Sequence, residues 1–173
     1  MTSPAELERL YDQHAPAIFA FLLNLTHSEA DTRDLLQEVF IKLARRSDLI
    51  SHVREERPFL LRLANNLAVD FFRRSGTRKR NQAQAAMEDF CIFAPTDDPD
   101  QASFRKHLAA ALRLLPAEQR AVIHLKLWEK LTFEEIASAL GISLNTAASR
   151  YRYGLDKLRA QLRPLYTEIQ PPR

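Results

Sequence analysis

Apolar residues recur at helical spacing through most of this sequence, and this periodicity constrains the fold more than any other feature. The helical repeat places Leu35, Leu36, Val39, Phe40 and Leu43 on one side of a helix. Only 3 of the 173 residues are glycine, too few to supply the tight turns of a hairpin-rich β fold. The sequence therefore predicts an all-α fold with a hydrophobic core.

Capping residues and prolines mark where the helices begin. Ser3 and Glu6 form a capping box around Pro4, so a first helix should begin there, and Pro16 should kink or restart it. Residues 47–57 are polar and aperiodic, which predicts a loop. Further helices are predicted from Ser28, from Pro58, and over residues 101–115, 116–129, 132–140 and 144–163.

The middle of the chain lacks sustained periodicity and is acidic. Residues 81–104 contain Glu88, Asp89 and three further aspartates but no lysine or arginine, and Pro95 and Pro99 interrupt any regular element. We therefore predict two small helical domains joined by a flexible linker. The predicted bounds are residues 1–80 for the first domain, 81–100 for the acidic linker and 101–173 for the second domain.

Positive charge is concentrated in two places, although the net charge is only +3. Residues 73–80, RRSGTRKR, carry five cations and no anion, and residues 146–163 carry five cations against Asp156 alone. Clustered positive charge indicates a polyanionic partner. The alternative interpretation is that each basic block is simply a solvent-exposed helix end without a polyanionic partner.

The second domain contains the parts of a helix-turn-helix. Thr132 and Glu135 form a capping box at the start of a short helix, and Gly141 can end that helix in a left-handed conformation before a longer helix begins. Ile136 and Leu140 offer an apolar wedge on which the longer helix can close. Ala147 and Gly154 are expected to face inward, because small residues permit close packing of two helices.

The outward face of the longer helix carries side chains suited to nucleic acid. Asparagine and arginine can each make paired hydrogen bonds to base edges, whereas serine, threonine and tyrosine suit phosphates or single acceptors. An ordinary pair of packed helices would explain the same pattern without DNA. The candidate DNA-binding residues are Asn145, Thr146, Ser149, Arg150, Arg152 and Tyr153.

Three stretches resemble the extracytoplasmic-function (ECF) sigma factors of bacterial RNA polymerase. The family's C-terminal domain, whose last helix reads the −35 promoter element, is similar to residues 115–162, LPAEQRAVIHLKLWEKLTFEEIASALGISLNTAASRYRYGLDKLRAQL. The N-terminal domain resembles LYDQHAPAIFAFL and DLLQEVFIKL, and its segment for melting and recognising the −10 element resembles RPFLLRLANNLAVDFFRR. The matches follow the family's order and cover most of the chain.

The resemblance implies further site residues. Asp34, Gln37 and Glu38 fall on the family's surface for the clamp helices of the polymerase. Asn65 stands where the family often has arginine, Phe59 where it often has tryptophan, and both Ala148 and Tyr153 where it often has a cation. The residues that match the −10 segment are Phe59, Asn65, Asn66, Asp70, Arg73 and Arg74.

The function implied is that of a sigma factor, which binds core RNA polymerase and directs transcription initiation at promoters with −10 and −35 elements. It is not an enzyme by itself, and an anti-sigma factor is a further partner that the family suggests. One alternative is a stand-alone helix-turn-helix regulator that binds duplex DNA without polymerase. Another is a DNA-acting enzyme, but Tyr151 and Tyr153 have no supporting catalytic constellation in the sequence.

Other residue types add no second function. The five histidines are scattered without metal-ligand spacing, and no phosphate-binding loop occurs, so neither a metal nor a cofactor is expected. Cys91 is the single cysteine, which excludes an internal disulfide and suits a reducing cytosol. Since the chain lacks both a signal-peptide pattern and an apolar run of ~18 residues, a cytoplasmic protein without membrane insertion is expected.

Overall fold

The computed structural model describes residues 2–85 and 97–169, which contain seven α-helices. A short 3-10 helix, Ser47–Leu49, lies between the second and third of them. No strand occurs within the described ranges, and the predicted all-α class is confirmed. The helices are α1 (Pro4–Thr26), α2 (Glu29–Arg45), α3 (Glu56–Ala85), α4 (Pro99–Arg113), α5 (Ala117–Leu127), α6 (Phe133–Leu140) and α7 (Leu144–Ile169).

The first helix begins where its capping signal predicts but does not restart at its proline. The Ser3 hydroxyl accepts a hydrogen bond from the Glu6 backbone N–H at 3.2 Å. Pro16 lies on the exposed side within one continuous helix, while Ala15 and Ile18 beside it are buried. Packing of the buried face on both sides of Pro16 therefore keeps the helix continuous despite the lost backbone donor.

The predicted linker is helical at both of its ends. Helix α3 continues to Ala85, although its backbone leaves the helical conformation at Gly76, where φ is 56°. Helix α4 begins at Pro99, and the Asp98 carboxylate accepts a hydrogen bond from the Asp100 backbone N–H at 3.0 Å. The remainder of the predicted flexible linker, including Cys91, lies outside the described residues.

Helices α6 and α7 form the predicted helix-turn-helix. Thr132 and Glu135 make a reciprocal capping box, and Gly141 ends α6 with φ 65° and ψ 38°, a left-handed conformation that glycine adopts without steric cost. Ala147 is fully buried, which confirms that it faces inward. Gly154 is buried as well, and a β-carbon placed there would lie 2.5 Å from Cδ1 of Ile123 on α5. The two predicted small-residue contacts are therefore both present.

The main hydrophobic core runs through both halves of the chain. We call α1–α3 the N-terminal unit and α4–α7 the C-terminal unit. Helix α1 packs against α5, and α3 packs against α6. Phe21 of α1 and Leu125 of α5 belong to one continuous buried cluster, and a smaller cluster around Leu112 and Leu158 lies within the C-terminal unit. The sequence pattern did not predict this contact between the units.

His27 ends α1 in a left-handed conformation and lies close to the C-terminal unit. Its φ is 54°, and its backbone N–H donates to the Leu23 carbonyl at 2.9 Å. Burial, together with the nearby Arg120 and Arg113 guanidinium groups, lowers the pKa of the His27 imidazole to about 3. The folded protein therefore holds His27 neutral at a pH where a solvated histidine takes up a proton.

We expect this histidine to make stability fall as the pH is lowered. Below its ordinary pKa of about 6.5, the unfolded chain binds a proton that the folded chain does not, which costs on the order of 1 kcal/mol per pH unit. The free energy of unfolding, measured with urea at pH 7.5 and pH 5, should therefore drop less in His27→Gly than in the wild type. The matched control is His52→Gly at an exposed loop position, and an equal drop in all three proteins would contradict the prediction.

Candidate nucleic-acid interface

The first turn of α7 presents a polar surface that is fixed by its own cap. The Ser143 hydroxyl accepts a hydrogen bond from the Thr146 backbone N–H at 3.1 Å and lies 2.8 Å from the Thr146 hydroxyl. The Thr146 side chain is therefore already engaged in the helix start. Asn145 next to it is exposed, so its amide is accessible for a base edge or a phosphate.

Arg152 and Tyr153 form a stacked pair farther along the same exposed side of α7. The guanidinium carbon of Arg152 lies 5.1 Å from the centroid of the Tyr153 ring, within the range of a cation–π contact. Arg152 Nη2 is 3.5 Å from the Tyr153 hydroxyl, which is too long for a strong hydrogen bond. Both residues are exposed, whereas Ser149 and Arg150 are half-buried. Stacking restricts the orientation of the arginine without consuming its hydrogen-bond donors.

Leu144 was not among the predicted residues although it lies on the same surface. It is the first residue of α7 and is 45% exposed. Ala148 follows one turn later and is half-buried, so the two form a small apolar strip beside Asn145 and Arg152. The signal available in the sequence was the position of Leu144 directly after the capping Ser143, because the first residues of a recognition helix approach the bases most closely.

The residues predicted for the −10 element divide into two groups on α3. Asn66, Asp70 and Arg73 share one face, on which Asn66 and Arg73 are exposed and Arg73 Nη2 donates to the Asp70 carboxylate at 2.7 Å. Arg74 is also exposed. Asn65 is only 8% exposed, and Phe59 is half-buried against the hydrophobic core, on the helix that packs against α6. The structure thus presents four of the six residues to a ligand and keeps the other two turned towards the protein.

The residues predicted for polymerase binding lie together on α2. Asp34, Gln37 and Glu38 are all exposed on one side of this helix. Ile41, one turn later, is 48% exposed on the same side and was not predicted. An isoleucine between exposed polar positions was the available sequence signal. The surface therefore combines carboxylates, an amide and one apolar side chain.

Polar side chains meet where the two units pack together. Arg57 at the start of α3 places Nε and Nη2 each 2.6 Å from Oε2 of Glu129, whose side chain is 4% exposed. Burial alone would raise the pKa of the Glu129 carboxyl, but His124 and Arg57 together hold it below its usual range. Asn24 Nδ2 lies 3.5 Å from His124 Nδ1, and Arg120 Nη2 lies 3.4 Å from the Leu25 carbonyl oxygen.

A cleft of about 350 Å³ opens beside these contacts. Its walls come from α1, from Arg57 on α3 and from the end of α5, where Trp128 stacks on His124 with ring centroids 5.4 Å apart. Residues 2–85 and 97–169 contain no group of three or more side chains placed to bind a metal ion. Within the same ranges, no helix is both long and apolar enough to cross a bilayer.

The sequence matches two protein families, each over one of the units. Residues 10–78 match Sigma-70 region 2, and residues 111–160 match Sigma-70, region 4. The RNA polymerase sigma factor CarQ of Myxococcus xanthus is 34% identical over 164 residues, which cover 94% of this chain and 92% of CarQ. The ECF RNA polymerase sigma factor SigL of Mycobacterium tuberculosis is 31% identical over 163 residues, or 93% of this chain and 91% of SigL.

Two solved structures share the fold. The sigma factor RpoE of Bartonella quintana, in complex with the anti-sigma factor NepR, superimposes with a TM-score of 0.73 and 21% identity over 90% of this chain and 96% of RpoE. CnrH in complex with the cytosolic domain of CnrY gives a TM-score of 0.66 and 21% identity over 94% of this chain and 91% of CnrH. A stand-alone helix-turn-helix regulator would not require the region 2 match, so that alternative is not favoured. The chain belongs to the ECF family of RNA polymerase sigma factors, which bind core polymerase and direct initiation at promoters.

Proposed function

We propose that three surfaces of the chain divide the work of promoter-specific initiation. The exposed side of α2 docks on the clamp helices of core polymerase, the exposed side of α3 captures the opened −10 strand, and the N-terminal part of α7 reads the −35 duplex. The proposed domains that carry these roles are residues 1–80 and residues 101–173. The exposed polar face of α7, joined in one chain to the acidic face of α2, is the observation that carries this proposal.

The α7 surface is suited to the major groove of duplex DNA. Asn145 and Arg152 are exposed and can each make two hydrogen bonds to a base edge, most favourably to adenine and guanine respectively. Leu144 and Ala148 between them offer an apolar contact for the methyl group of a thymine. The helix N-terminus adds a favourable site for a backbone phosphate. Together these groups supply base recognition and positioning within about two and a half helical turns.

The α3 surface is suited to an unpaired strand. Asn66 can bind an individual base edge, while Arg73 and Arg74 can neutralise phosphates on either side of it. Asn65 and Phe59 are turned towards the protein, and they can take part only if the packing around that side of α3 changes.

The chain acts through the polymerase rather than as a catalyst in its own right. Its proposed place of action is the cytoplasm, where polymerase and chromosomal DNA are found. An anti-sigma factor is a proposed further partner, supported by the two structures of similar fold, which were solved with NepR and with the cytosolic domain of CnrY. Recovery of polymerase alone, without an additional protein, in a pull-down from cells would contradict this partner.

A transcription assay with purified components tests the function directly. The chain and core polymerase together should give transcripts with defined start sites on a genomic template, and neither should do so alone. Sequences aligned upstream of those starts should reveal the two elements. Tight binding of the free chain to a palindromic duplex, with no start sites in the presence of polymerase, would favour the stand-alone regulator instead.

Removing the α2 surface should weaken the complex with core polymerase. We expect Asp34→Ala combined with Glu38→Ala to raise the Kd for core polymerase about tenfold, or ~1.4 kcal/mol, because two charges of a desolvated contact are lost. Fluorescence anisotropy of labelled chain gives this Kd. The matched control is Glu8→Ala, an exposed carboxylate on α1, and an equal effect of the control and the test variant would contradict the assignment.

A further inference from the structure

Lys130 has a backbone conformation that lysine rarely adopts. It lies in the turn between α5 and α6, and its φ of 58° places it in the left-handed region, where a side chain crowds its own backbone. Among residues 2–85 and 97–169, His27 is the other non-glycine residue with a positive φ. Glycine adopts this conformation without steric cost, as Gly141 does at the end of α6. Lysine at this position therefore carries a backbone strain that glycine would relieve.

The residues around Lys130 hold this turn in place. The Leu131 side chain is buried, and its backbone N–H donates to the Leu125 carbonyl at 3.1 Å. The Lys126 ammonium donates to the Leu131 carbonyl at 3.2 Å, and it lies 4.7 Å from the centroid of the Phe133 ring. This second lysine is therefore engaged within the protein. Because these contacts determine the backbone directly after Lys130, its φ cannot relax without breaking them.

The Lys130 side chain is exposed, and the two nearest carboxylates in the sequence are occupied elsewhere. The Glu129 carboxylate is buried and is bound by Arg57 at 2.6 Å. The Glu135 carboxylate accepts a hydrogen bond at 2.7 Å from the backbone at the start of α6. Glu134 remains exposed in the first turn of α6, and without a nearby cation it would repel a phosphate. Lys130 therefore supplies the positive charge that this edge of the helix-turn-helix needs to approach a polyanion.

The turn that contains Lys130 lies at the edge of the DNA-binding motif. In a helix-turn-helix, the second helix enters the major groove while the first helix crosses the phosphate backbone. Helix α6 has eight residues and is therefore about 12 Å long, which is close to the ~12 Å width of the major groove. When the start of α7 lies in the groove, the start of α6 reaches the strand that borders it. A positive charge at this point is placed for a phosphate rather than for a base edge.

We propose that Lys130 contacts the DNA backbone and fixes the register of the helix-turn-helix on the −35 element. Its ammonium neutralises one phosphate beside the major groove, while Asn145 and Arg152 on α7 read the bases. The fold alone would favour glycine at this position, so the lysine contributes to binding rather than to stability. This inference rests on the proposed function as a sigma factor, and it adds a contact outside the recognition helix.

Lys130→Gly and Lys130→Asn remove the charge, and both new residues tolerate a positive φ. We expect each variant to weaken holoenzyme binding to a promoter duplex about three- to tenfold, equally for every −35 sequence. The slope of log K against log salt concentration should fall in magnitude by about 0.9, because one phosphate fewer is neutralised. The melting temperature should instead rise by about 2 °C in Lys130→Gly, because the backbone strain is relieved. Lys130→Arg keeps the charge and should retain the wild-type slope.

A set of chemically altered duplexes identifies the phosphate directly. Each duplex replaces one phosphate of the −35 element or its flanks by an uncharged methylphosphonate. One position should weaken binding of the wild type and leave binding of Lys130→Asn unaffected, which pairs that phosphate with Lys130. The matched control is Lys106→Gln, which removes an exposed lysine of α4 in the same unit and should behave as the wild type.

The measurements give distinct outcomes. The proposal is overturned by unchanged salt slopes in both Lys130→Gly and Lys130→Asn, by a loss confined to particular −35 sequences, or by a lower melting temperature in Lys130→Gly. An equal change of slope in Lys106→Gln would overturn it too, because the effect would then reflect overall charge. Wild-type holoenzyme that binds no promoter would contradict the proposed function instead, whereas the melting comparison would still report the strain at Lys130.

Discussion

Gly154→Leu is expected to destabilise the C-terminal unit by about 3 kcal/mol or more. The β-carbon alone would lie 2.5 Å from Cδ1 and 3.3 Å from Cγ1 of Ile123, which is fully buried and cannot move into solvent. The remaining atoms of leucine would then have to displace α5 from α7. Overpacking of a closed core typically costs ~1–3 kcal/mol for smaller insertions, and the gain in helix propensity over glycine returns only about 1 kcal/mol.

Urea unfolding measures this loss, and the chain offers a matched control on the same helix. Ala160→Leu introduces the same side chain at an exposed position of α7 and should change the free energy of unfolding by less than about 0.5 kcal/mol. Adding Ile123→Ala to Gly154→Leu should recover part of the loss, because the truncated side chain vacates the space that leucine needs. Equal midpoints for Gly154→Leu and Ala160→Leu would show that the helices do not approach as described.

Arg152→Ala is expected to weaken recognition of the −35 element by ~1–3 kcal/mol, or roughly 5- to 150-fold in affinity. Its guanidinium is exposed and oriented by the Tyr153 ring, so that both donor edges remain available for a guanine. Loss of these hydrogen bonds should relax specificity at one base pair while leaving the other positions selective. Holoenzyme binding to a set of promoter duplexes, each with one −35 substitution, measures that pattern.

The same set of duplexes distinguishes a base contact from a phosphate contact. If Arg152 contacts a phosphate, Arg152→Ala should lose the same affinity on every sequence. The slope of log K against log salt concentration should then fall in magnitude by about one. Arg159→Ala is the matched control, because Arg159 is exposed on a later turn of α7 and lies 3.5 Å from Asp156. Unchanged affinity and specificity in Arg152→Ala would exclude Arg152 from the recognition surface.

Local signals in the sequence were sufficient to predict the helix-turn-helix. The capping box at Thr132, the left-handed Gly141 and the inward Ala147 each depend on residues within a few positions of one another. Such features are decided by backbone geometry and by the helical repeat, both of which can be recognised without the rest of the chain. The start of α1 at Ser3 was predictable for the same reason, whereas the continuity of α1 through Pro16 depends on packing by other helices.

The contact between the units was not predictable from these patterns. Asn24 and His124 are in contact although a hundred residues separate them in the sequence. Arg57 and Glu129 are charged residues of the kind found on any protein surface, and the sequence alone does not indicate that they pair. No local sequence pattern distinguishes an apolar helix face that packs within its own domain from one that packs against another domain. The resemblance likewise assigned Asn65 to DNA without indicating that its side chain is buried in the folded chain. Its role in binding the −10 element stays a prediction.

The shared core also has a consequence for biosynthesis. Residues 1–80 leave the ribosome before α5 has been made, so the strip of α1 that includes Phe21 and Leu25 is at first uncovered. Once α5 emerges, it covers the strip and removes an exposed apolar surface that would otherwise favour aggregation. The packing of α5 on α1 therefore limits the time during which this apolar strip of the N-terminal unit is exposed.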